Sequence, residues 1–184
     1  MRQVKDAMVA MVIKSIKYNK SKQNEYNRIL SDKAKEFINQ KILSSSWYPY
    51  KLHKEVYNAL CLVEARNNPT ILNQWGRDQA DRLMSTIYKI SPFRKDIQKA
   101  VERYSRFHRM VYNFGEIDIE LISDTKIIFS YKDFDPNWEN FYHTAKGYVQ
   151  RFFELSIDKK INFKFLKKSW EEKGWTKVML SWAP

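Results

Sequence analysis

The side chains of this sequence that could hold a metal ion or act as a nucleophile are three histidines and one cysteine. His53, His108 and His143 lie far apart along the chain, and no spacing typical of zinc ligands connects them. Cys61 lies inside an apolar run, which predicts an inert, buried thiol. The sequence therefore predicts no metal site, and a single cysteine cannot form an internal disulfide.

The carboxylates, serines and glycines also show no pattern that predicts a catalytic or cation-binding site. Asp133 and Asp135 could hold a hard cation, but Asp135 stands directly before Pro136, and this pair is typical of a helix start. The four glycines lack the spacing of a phosphate-binding loop, and no serine has the flanking residues of a strained nucleophile elbow. We therefore expect a protein that is not an enzyme and that has no cofactor.

The most regular periodicity lies in residues 115–184 and predicts a ββαββ unit. Acidic and apolar residues alternate from Glu116 to Leu121, and a second strand follows at residues 126–131. Two more strands are predicted at residues 161–165 and 175–182. The outer face of the first strand is acidic and that of the third is basic, so we expect both to lie on one solvent-facing surface of an antiparallel sheet.

A long helix is predicted between the two pairs of strands. Asp135-Pro136 should start it, and apolar residues at helical spacing from Trp138 to Phe153 form one broad stripe that should lie on the sheet. Gly147 stands in the middle of this helix, where glycine costs about 1 kcal/mol relative to alanine. We expect Gly147 to let the helix lie close to the sheet.

Residues 1–114 carry helical patterns and predict five or six helices. Val4 is expected on the apolar face of the first helix, Ser31 to cap a later one, and Trp47-Tyr48-Pro49 to open another. Asn68-Pro69 and Ser91-Pro92 should start two longer helices. Helices first and strands second predict an α+β fold, and 184 residues suit one domain with a helical part (1–114) and a sheet part (115–184).

The uneven distribution of charge along the chain indicates which kinds of partner it could bind. All of the net charge of +12 lies in residues 1–115, because residues 116–184 hold 11 basic and 11 acidic side chains. Basic residues at helical spacing on one predicted helix could follow a nucleic-acid backbone, although a solvated surface is the commoner explanation; they are Lys95, Lys99, Arg103 and Arg106. No RNA- or DNA-binding motif supports the first interpretation. No signal peptide or membrane-spanning segment is evident, so we expect a cytoplasmic protein.

The segment Ile42-Leu43-Ser44-Ser45-Ser46-Trp47-Tyr48-Pro49 and the later Gly76-Arg77-Asp78 carry a family resemblance. With them, the chain resembles the superfamily of haem nitric-oxide/oxygen-binding domains, 4-vinyl reductase domains and TRAPP small subunits, and most of all an uncharacterised bacterial branch. The order of helices and hairpins agrees along nearly the whole chain. The resemblance implies helices over an antiparallel sheet that enclose an apolar pocket. It places the lining at Trp75, Tyr104, His108, Trp138 and Tyr142.

The sequence also departs from the better-known branches of this superfamily. Haem-binding members use a helix histidine before the sheet, a position that His108 matches. They hold the haem propionates with Tyr-x-Ser-x-Arg, whereas this chain has Tyr131-Lys132-Asp133-Phe134-Asp135, whose carboxylates would repel propionates. The last hairpin has no cysteines of the kind found in 4-vinyl reductase domains, and His108 can equally be a hydrogen-bonded core residue.

We therefore expect a non-catalytic sensor or assembly module that binds a small apolar molecule or an acyl chain. A second protein or another copy of the chain could be its partner. A haem-based gas sensor is the first alternative, and a basic module for nucleic acid or an acidic protein is the second, with nucleic acid disfavoured.

Overall fold

The computed structural model describes residues 1–87 and 96–184, with the backbone alone at residues 86 and 87. The chain forms two compact units: unit 1 comprises residues 1–68 and 109–114, and unit 2 comprises residues 69–108 and 115–184. The helical part expected over residues 1–114 is thus shared between the units. The assignment of a single domain stays a prediction.

Unit 1 is mainly helical. In chain order its elements are β1 (Gln3–Lys5), α1 (Asp6–Tyr18), a 3-10 turn (Lys20–Lys22), α2 (Gln23–Ile29), α3 (Asp32–Asn39), β2 (Trp47–Pro49) and α4 (Tyr50–Ala65). The side chain of Ser31 accepts a hydrogen bond from the amide of Ala34 at 3.2 Å, which confirms the predicted helix cap.

A short antiparallel pair of strands corrects two of the sequence predictions. Val4 lies in β1 rather than on the first helix, and Trp47-Tyr48-Pro49 forms β2 rather than a helical turn, so α4 begins only at Tyr50. Val4 lies opposite Tyr48 in the ladder and is fully buried. Strands of three residues are too short to show a period of two, so pairing with a distant segment decides their conformation.

Unit 2 contains the sheet predicted from the sequence. Its elements are α5 (Pro69–Ile87), α6 (Ile97–Val111, of which residues up to 108 belong to this unit), β3 (Glu116–Ser123), β4 (Lys126–Lys132), α7 (Glu139–Ile157), β5 (Asn162–Lys167) and β6 (Thr176–Ser181). The predicted start of α5 at Asn68-Pro69 is confirmed. The start predicted at Ser91-Pro92 lies outside the described residues. An α+β fold with helices before an antiparallel sheet is confirmed.

The sheet has the strand order β3-β4-β6-β5, and all neighbouring strands are antiparallel. Glu120 of β3 is aligned through Ile128 and Met179 with Lys164 of β5. Because aligned residues point to the same face, the acidic and basic strands share one surface, as predicted, at opposite edges. The other face carries the aromatic residues of β4, and Phe129 contacts Phe153 of α7 with ring centroids 5.5 Å apart.

The predicted start of α7, with Asp135 as the cap and Pro136 as the first helical residue, is three residues too early. The carboxylate of Asp135 accepts a hydrogen bond from the amide of Asn137 at 2.9 Å and closes a turn. The helix begins at Glu139, after Trp138. Asp and Pro are favoured in turns as well as at helix starts, so the sequence pattern could not separate the two.

The explanation expected for Gly147 is also wrong, because this residue faces α5 and not the sheet. A Cβ atom there would overlap the carbonyl oxygen of Asn73 and lie 3.1 Å from the amide of Arg77. Gly76 of α5 occupies the matching position, where a Cβ atom would overlap the carbonyl of Thr144 and lie 2.6 Å from the amide of Tyr148. Two glycines thus bring the backbones of α5 and α7 into direct contact. In the described residues, no helix has the length and apolarity needed to cross a membrane.

Candidate functional site

Four of the five predicted ligand-binding residues lie in one group of rings inside unit 2. We call this group the aromatic cluster; its members are Tyr104, His108, Tyr131, Phe134, Trp138, Phe141 and Tyr142. Residues from α6, from β4, from the turn after β4 and from α7 contribute to it. Tyr104, His108, Trp138 and Tyr142 were expected together at one pocket, and the fold places all four in this group.

His108 is the side chain in the cluster that could ligate a metal. It lies one turn after Tyr104 on the buried face of α6, and only 4% of its surface is exposed. Its ring packs edge-on against Phe134, with centroids 5.4 Å apart and an interplanar angle of 66°. The imidazole therefore lies in a buried, aromatic environment, and an imidazole nitrogen is a common metal ligand.

Phe134 is the centre of the cluster. Its ring stacks with Trp138 at 6.1 Å and lies 4.7 Å from the ring of Phe141. Trp138 and Phe141 also stack on each other at 4.9 Å. Because Trp138 and Phe134 are each only 1% exposed, these contacts hold the ring of Phe134, which packs against His108, in a fixed position.

The tyrosine hydroxyls of the cluster are hydrogen-bonded to protein groups. The hydroxyl oxygens of Tyr104 and Tyr131 lie 3.1 Å apart, and the hydroxyl of Tyr142 donates to the carbonyl oxygen of Asp135 at 2.9 Å. Burial raises the pKa of Tyr131 and that of Tyr142 above the ordinary value for tyrosine. Both phenols are therefore neutral near pH 7, and neither is prepared to act as a base.

Trp75 lies apart from the other four predicted residues. It is half-buried on α5, and among the described residues no ring contact joins it to Tyr104, His108, Trp138 or Tyr142. Binding of a ligand by any of the five residues stays a prediction.

Among the described residues outside the cluster, the cysteine and the other two histidines show no catalytic arrangement. Cys61 is fully buried, and burial raises the pKa of its thiol to about 12, which makes it unreactive at neutral pH. Burial lowers the pKa of His53 to about 4. His143 lies 3.3 Å from Glu139 on α7. Within residues 1–87 and 96–184, no group of three or more His, Cys, Asp or Glu side chains is arranged to hold a metal ion.

The predicted basic helix face is described only in part. Lys95 lies outside the described residues, while Lys99 pairs with Asp96 at 3.2 Å. Arg106 is exposed on α6 and Arg103 is half-buried. These positions agree with a solvated surface and give no further support to nucleic-acid binding.

Sequence reasoning missed a charged network beside the crossing of α5 and α7. Arg77 donates to Glu154 at 2.8 Å, and Arg151 donates to Asp81 at 2.7 Å and to Glu154 at 3.4 Å. Glycines in the middle of two helices were the available signal, because they indicate that another backbone approaches closely there.

No protein-family model matches the chain, and no curated protein matches it in sequence. Solved structures do match it. An H-NOX mutant from T. tengcongensis aligns with a TM-score of 0.65 and 11% identity, over 98% of each chain. The structures of a Cs H-NOX mutant and of a K. algicida H-NOX mutant each align with a TM-score of 0.64 and 11% identity, over 98% of this chain and 97% of theirs.

These matches show that the chain shares its fold with H-NOX proteins, which are haem nitric-oxide/oxygen-binding domains. Another matching structure is described as a study of haem distortion in that family. At 11% identity the likeness concerns the fold alone. The resemblance to 4-vinyl reductase domains and TRAPP subunits stays a prediction.

Two of the matching structures are described with haem, and the residues of this chain fit that group only in part. At the iron they fit, because His108 is a buried imidazole on the helix before β3. At the propionates the segment 131–135 does not fit. The family resemblance assigns the propionates to this segment, where the hydroxyl of Tyr131 is bonded to Tyr104 and the carboxylates of Asp133 and Asp135 would repel them.

Proposed function

We propose that this chain is a non-catalytic, cytoplasmic sensor module that binds haem through His108. The observation that carries the proposal is the buried imidazole of His108 within the aromatic cluster, in a chain that aligns with H-NOX structures over 98% of its length. A haem iron bound there would offer a coordination position for a diatomic gas.

The residues of the chain would have three tasks in such a sensor. His108 would supply the neutral nitrogen ligand, and the edge-on ring of Phe134 would hold the imidazole in one orientation. Trp138 and Phe141 would keep water away from it through their stacked rings. Asp133 and Asp135 would weaken the binding of haem rather than strengthen it, because they repel its propionates.

Haem titration of the purified chain tests the proposal. We expect a Soret band that saturates at one haem per chain and that is lost in His108→Ala. The control variant His143→Ala should keep the band, because His143 lies on α7 beside Glu139 and is not a member of the cluster. Added imidazole should restore the band in His108→Gly. If the wild-type chain gives no Soret band with excess haem, the proposal is wrong.

A charge variant sharpens the test. Asp133 has a left-handed backbone, with φ of 51°, which asparagine tolerates well, so Asp133→Asn should remove the charge without strain. We expect haem to bind more tightly, by at most about fivefold, because the repulsion between two exposed charges in close contact in water is about 1 kcal/mol. Asp158→Asn is the matched control, because Asp158 is also left-handed and lies at the far end of α7.

Binding of an apolar small molecule or acyl chain without haem is the second candidate function. The observation that favours it is the segment 131–135, which carries carboxylates in place of propionate donors. Mass spectrometry of organic extracts from purified chain would identify such a ligand. Repeated extracts that contain no organic molecule at stoichiometric amount would count against this candidate.

A further inference from the structure

A cleft of about 510 Å³ lies at the C-terminal end of α7, on the side that faces α5. Its lining residues are Arg77, Arg151, Glu154, Leu155, Asp158, Lys159 and Lys160. Twelve residues of α7 separate Glu154 from Tyr142 of the aromatic cluster, which at 1.5 Å per residue is about 18 Å. The cleft is therefore a different place from the proposed haem site.

Two guanidinium groups in the cleft are held in fixed positions by carboxylates. Glu154, whose side chain is only 13% exposed, accepts from both nitrogens at the tip of Arg77 and from one of Arg151. Asp81 accepts from Nε of Arg151 at 2.7 Å and is the main cause of the raised pKa of that arginine. Carboxylates that fix a guanidinium in this way prepare it to bind a further anion with little loss of side-chain entropy.

Several donors in the cleft remain available. Each arginine carries five N–H groups, and in the described part of the chain no partner is bonded to Nε of Arg77 or to the second terminal nitrogen of Arg151. Lys160 is exposed and makes no hydrogen bond or ion pair with any described residue. Lys159, by contrast, donates to the carbonyl oxygen of Ala183 at 2.9 Å.

The charges of the lining favour an anion with several oxygens. Four cationic side chains face two carboxylates, Glu154 and Asp158, and Asp81 lies behind Arg151. These seven side chains carry a net charge of only +1, so the attraction of an anion would depend mainly on the N–H donors that have no partner. Planar guanidinium groups match the oxygens of phosphate, and the volume lies in the range of small-molecule sites.

We propose that this cleft binds a small phosphate-containing anion through Arg77, Arg151 and Lys160. Such a ligand would join α5 to α7 beside the close approach of the two backbones at Gly76 and Gly147, and so would stabilise the crossing. The proposal does not depend on the binding of haem.

Calorimetric titration of the full chain with inorganic pyrophosphate at low salt tests this inference. We expect one saturable site, weakened at least about tenfold, or about 1.4 kcal/mol, in Lys160→Glu. Lys164→Glu is the matched control, because Lys164 is equally exposed on β5, changes charge identically and does not line the cleft. Arg151→Lys should also weaken binding, although it keeps the charge, because the planar fork is lost.

Three results would contradict the proposed anion site. Absence of a saturable site, or an equal loss of affinity in Lys160→Glu and Lys164→Glu, would overturn the proposal. Sulfate that binds as tightly as pyrophosphate at equal ionic strength would also overturn it, since this would be general anion binding. The Soret band of Lys160→Glu should match that of the wild type, so failure of this site and failure of haem binding are distinguishable.

Discussion

The carboxylate network around Glu64 in unit 1 and the aromatic cluster of unit 2 are stabilised in different ways. In unit 1, the carboxylate of Glu64 accepts hydrogen bonds from the hydroxyl of Tyr26 at 2.7 Å and from Asn19 at 3.0 Å, and it pairs with Lys22 at 3.2 Å. Burial by itself raises the pKa of Glu64, but these bonds outweigh it and the pKa is lowered. His53 is buried in the same unit.

In unit 2, the aromatic cluster and the helix crossing are held together mainly by close packing of rings and backbones. The hydroxyls of Tyr104 and Tyr131 bond to each other, and both rings pack against other rings. Gly76 and Gly147 permit contact between backbones. Unit 1 should therefore respond to protonation and to loss of charged hydrogen bonds, whereas the aromatic cluster and the helix crossing of unit 2 should respond to added volume.

The largest effect on stability is expected where an added methyl group would overlap the backbone of a neighbouring helix. Gly147→Ala should lower the free energy of unfolding by about 3–4 kcal/mol, although alanine in a free helix would be favoured by about 1 kcal/mol. Urea denaturation measures the loss, and hydrogen exchange in peptides from α5 and α7 locates it. Lys146→Ala, at the adjacent position, should cost only about 0.5–1 kcal/mol, because it removes a contact with the ring of Phe163. A Gly147→Ala variant as stable as the wild type would show that the crossing is not tightly packed.

A second prediction concerns pH and unit 1. The pKa of His53 is about 4 in the folded chain, against 6.5 as its ordinary value. Between these values the unfolded chain binds a proton that the folded chain does not. Above pH 6.5, His53 should therefore make no contribution to the pH dependence of the free energy of unfolding. As the pH drops from 6.5 to 4, protonation of His53 in the unfolded chain should lower this free energy by up to about 3 kcal/mol.

Urea denaturation at a series of pH values checks this, with His53→Gln as the comparison. The variant should be less stable at neutral pH but should lose less stability between pH 6.5 and 4, because glutamine does not titrate. Parallel curves for wild type and variant would contradict the assignment of this pH dependence to His53.

The smallest changes in unfolding free energy are expected when one tyrosine hydroxyl is removed from each unit. Tyr26→Phe removes a hydrogen bond to a charged carboxylate and should cost about 2 kcal/mol. Tyr104→Phe removes a bond between two neutral hydroxyls and should cost about 1 kcal/mol. Unfolding free energies at pH 7 test the order, and the reverse order would mean that the difference between the units is not one of charge.

The sequence predicted the sheet unit because its patterns are local. Alternation from Glu116 to Leu121 and the aromatic stripe from Trp138 to Phe153 each specify a buried face without any knowledge of the partner. The pairing of β1 with β2 was not predictable in this way, since three residues carry no measurable period. The start of α7 was misplaced because Asp135-Pro136 suits a turn as well as a helix.

For the candidate site, the sequence identified which side chains are apolar-facing, and the tertiary structure decided which of them meet. Tyr104 and His108 share a helix face one turn apart, so their proximity followed from the helical repeat. Trp75 has the same apolar character, but the packing of α5 keeps its ring out of contact with the other four predicted residues.

Residue types at short spacing were enough to specify the class of fold, the order of elements in residues 116–184 and the buried faces of those elements. Only the tertiary structure decided that Gly147 meets α5, that Arg77 pairs with Glu154 across 77 residues, and that Phe134 joins His108 to Trp138. The physical reason is that contacts between distant segments depend on complementary shape and charge, which no local pattern records.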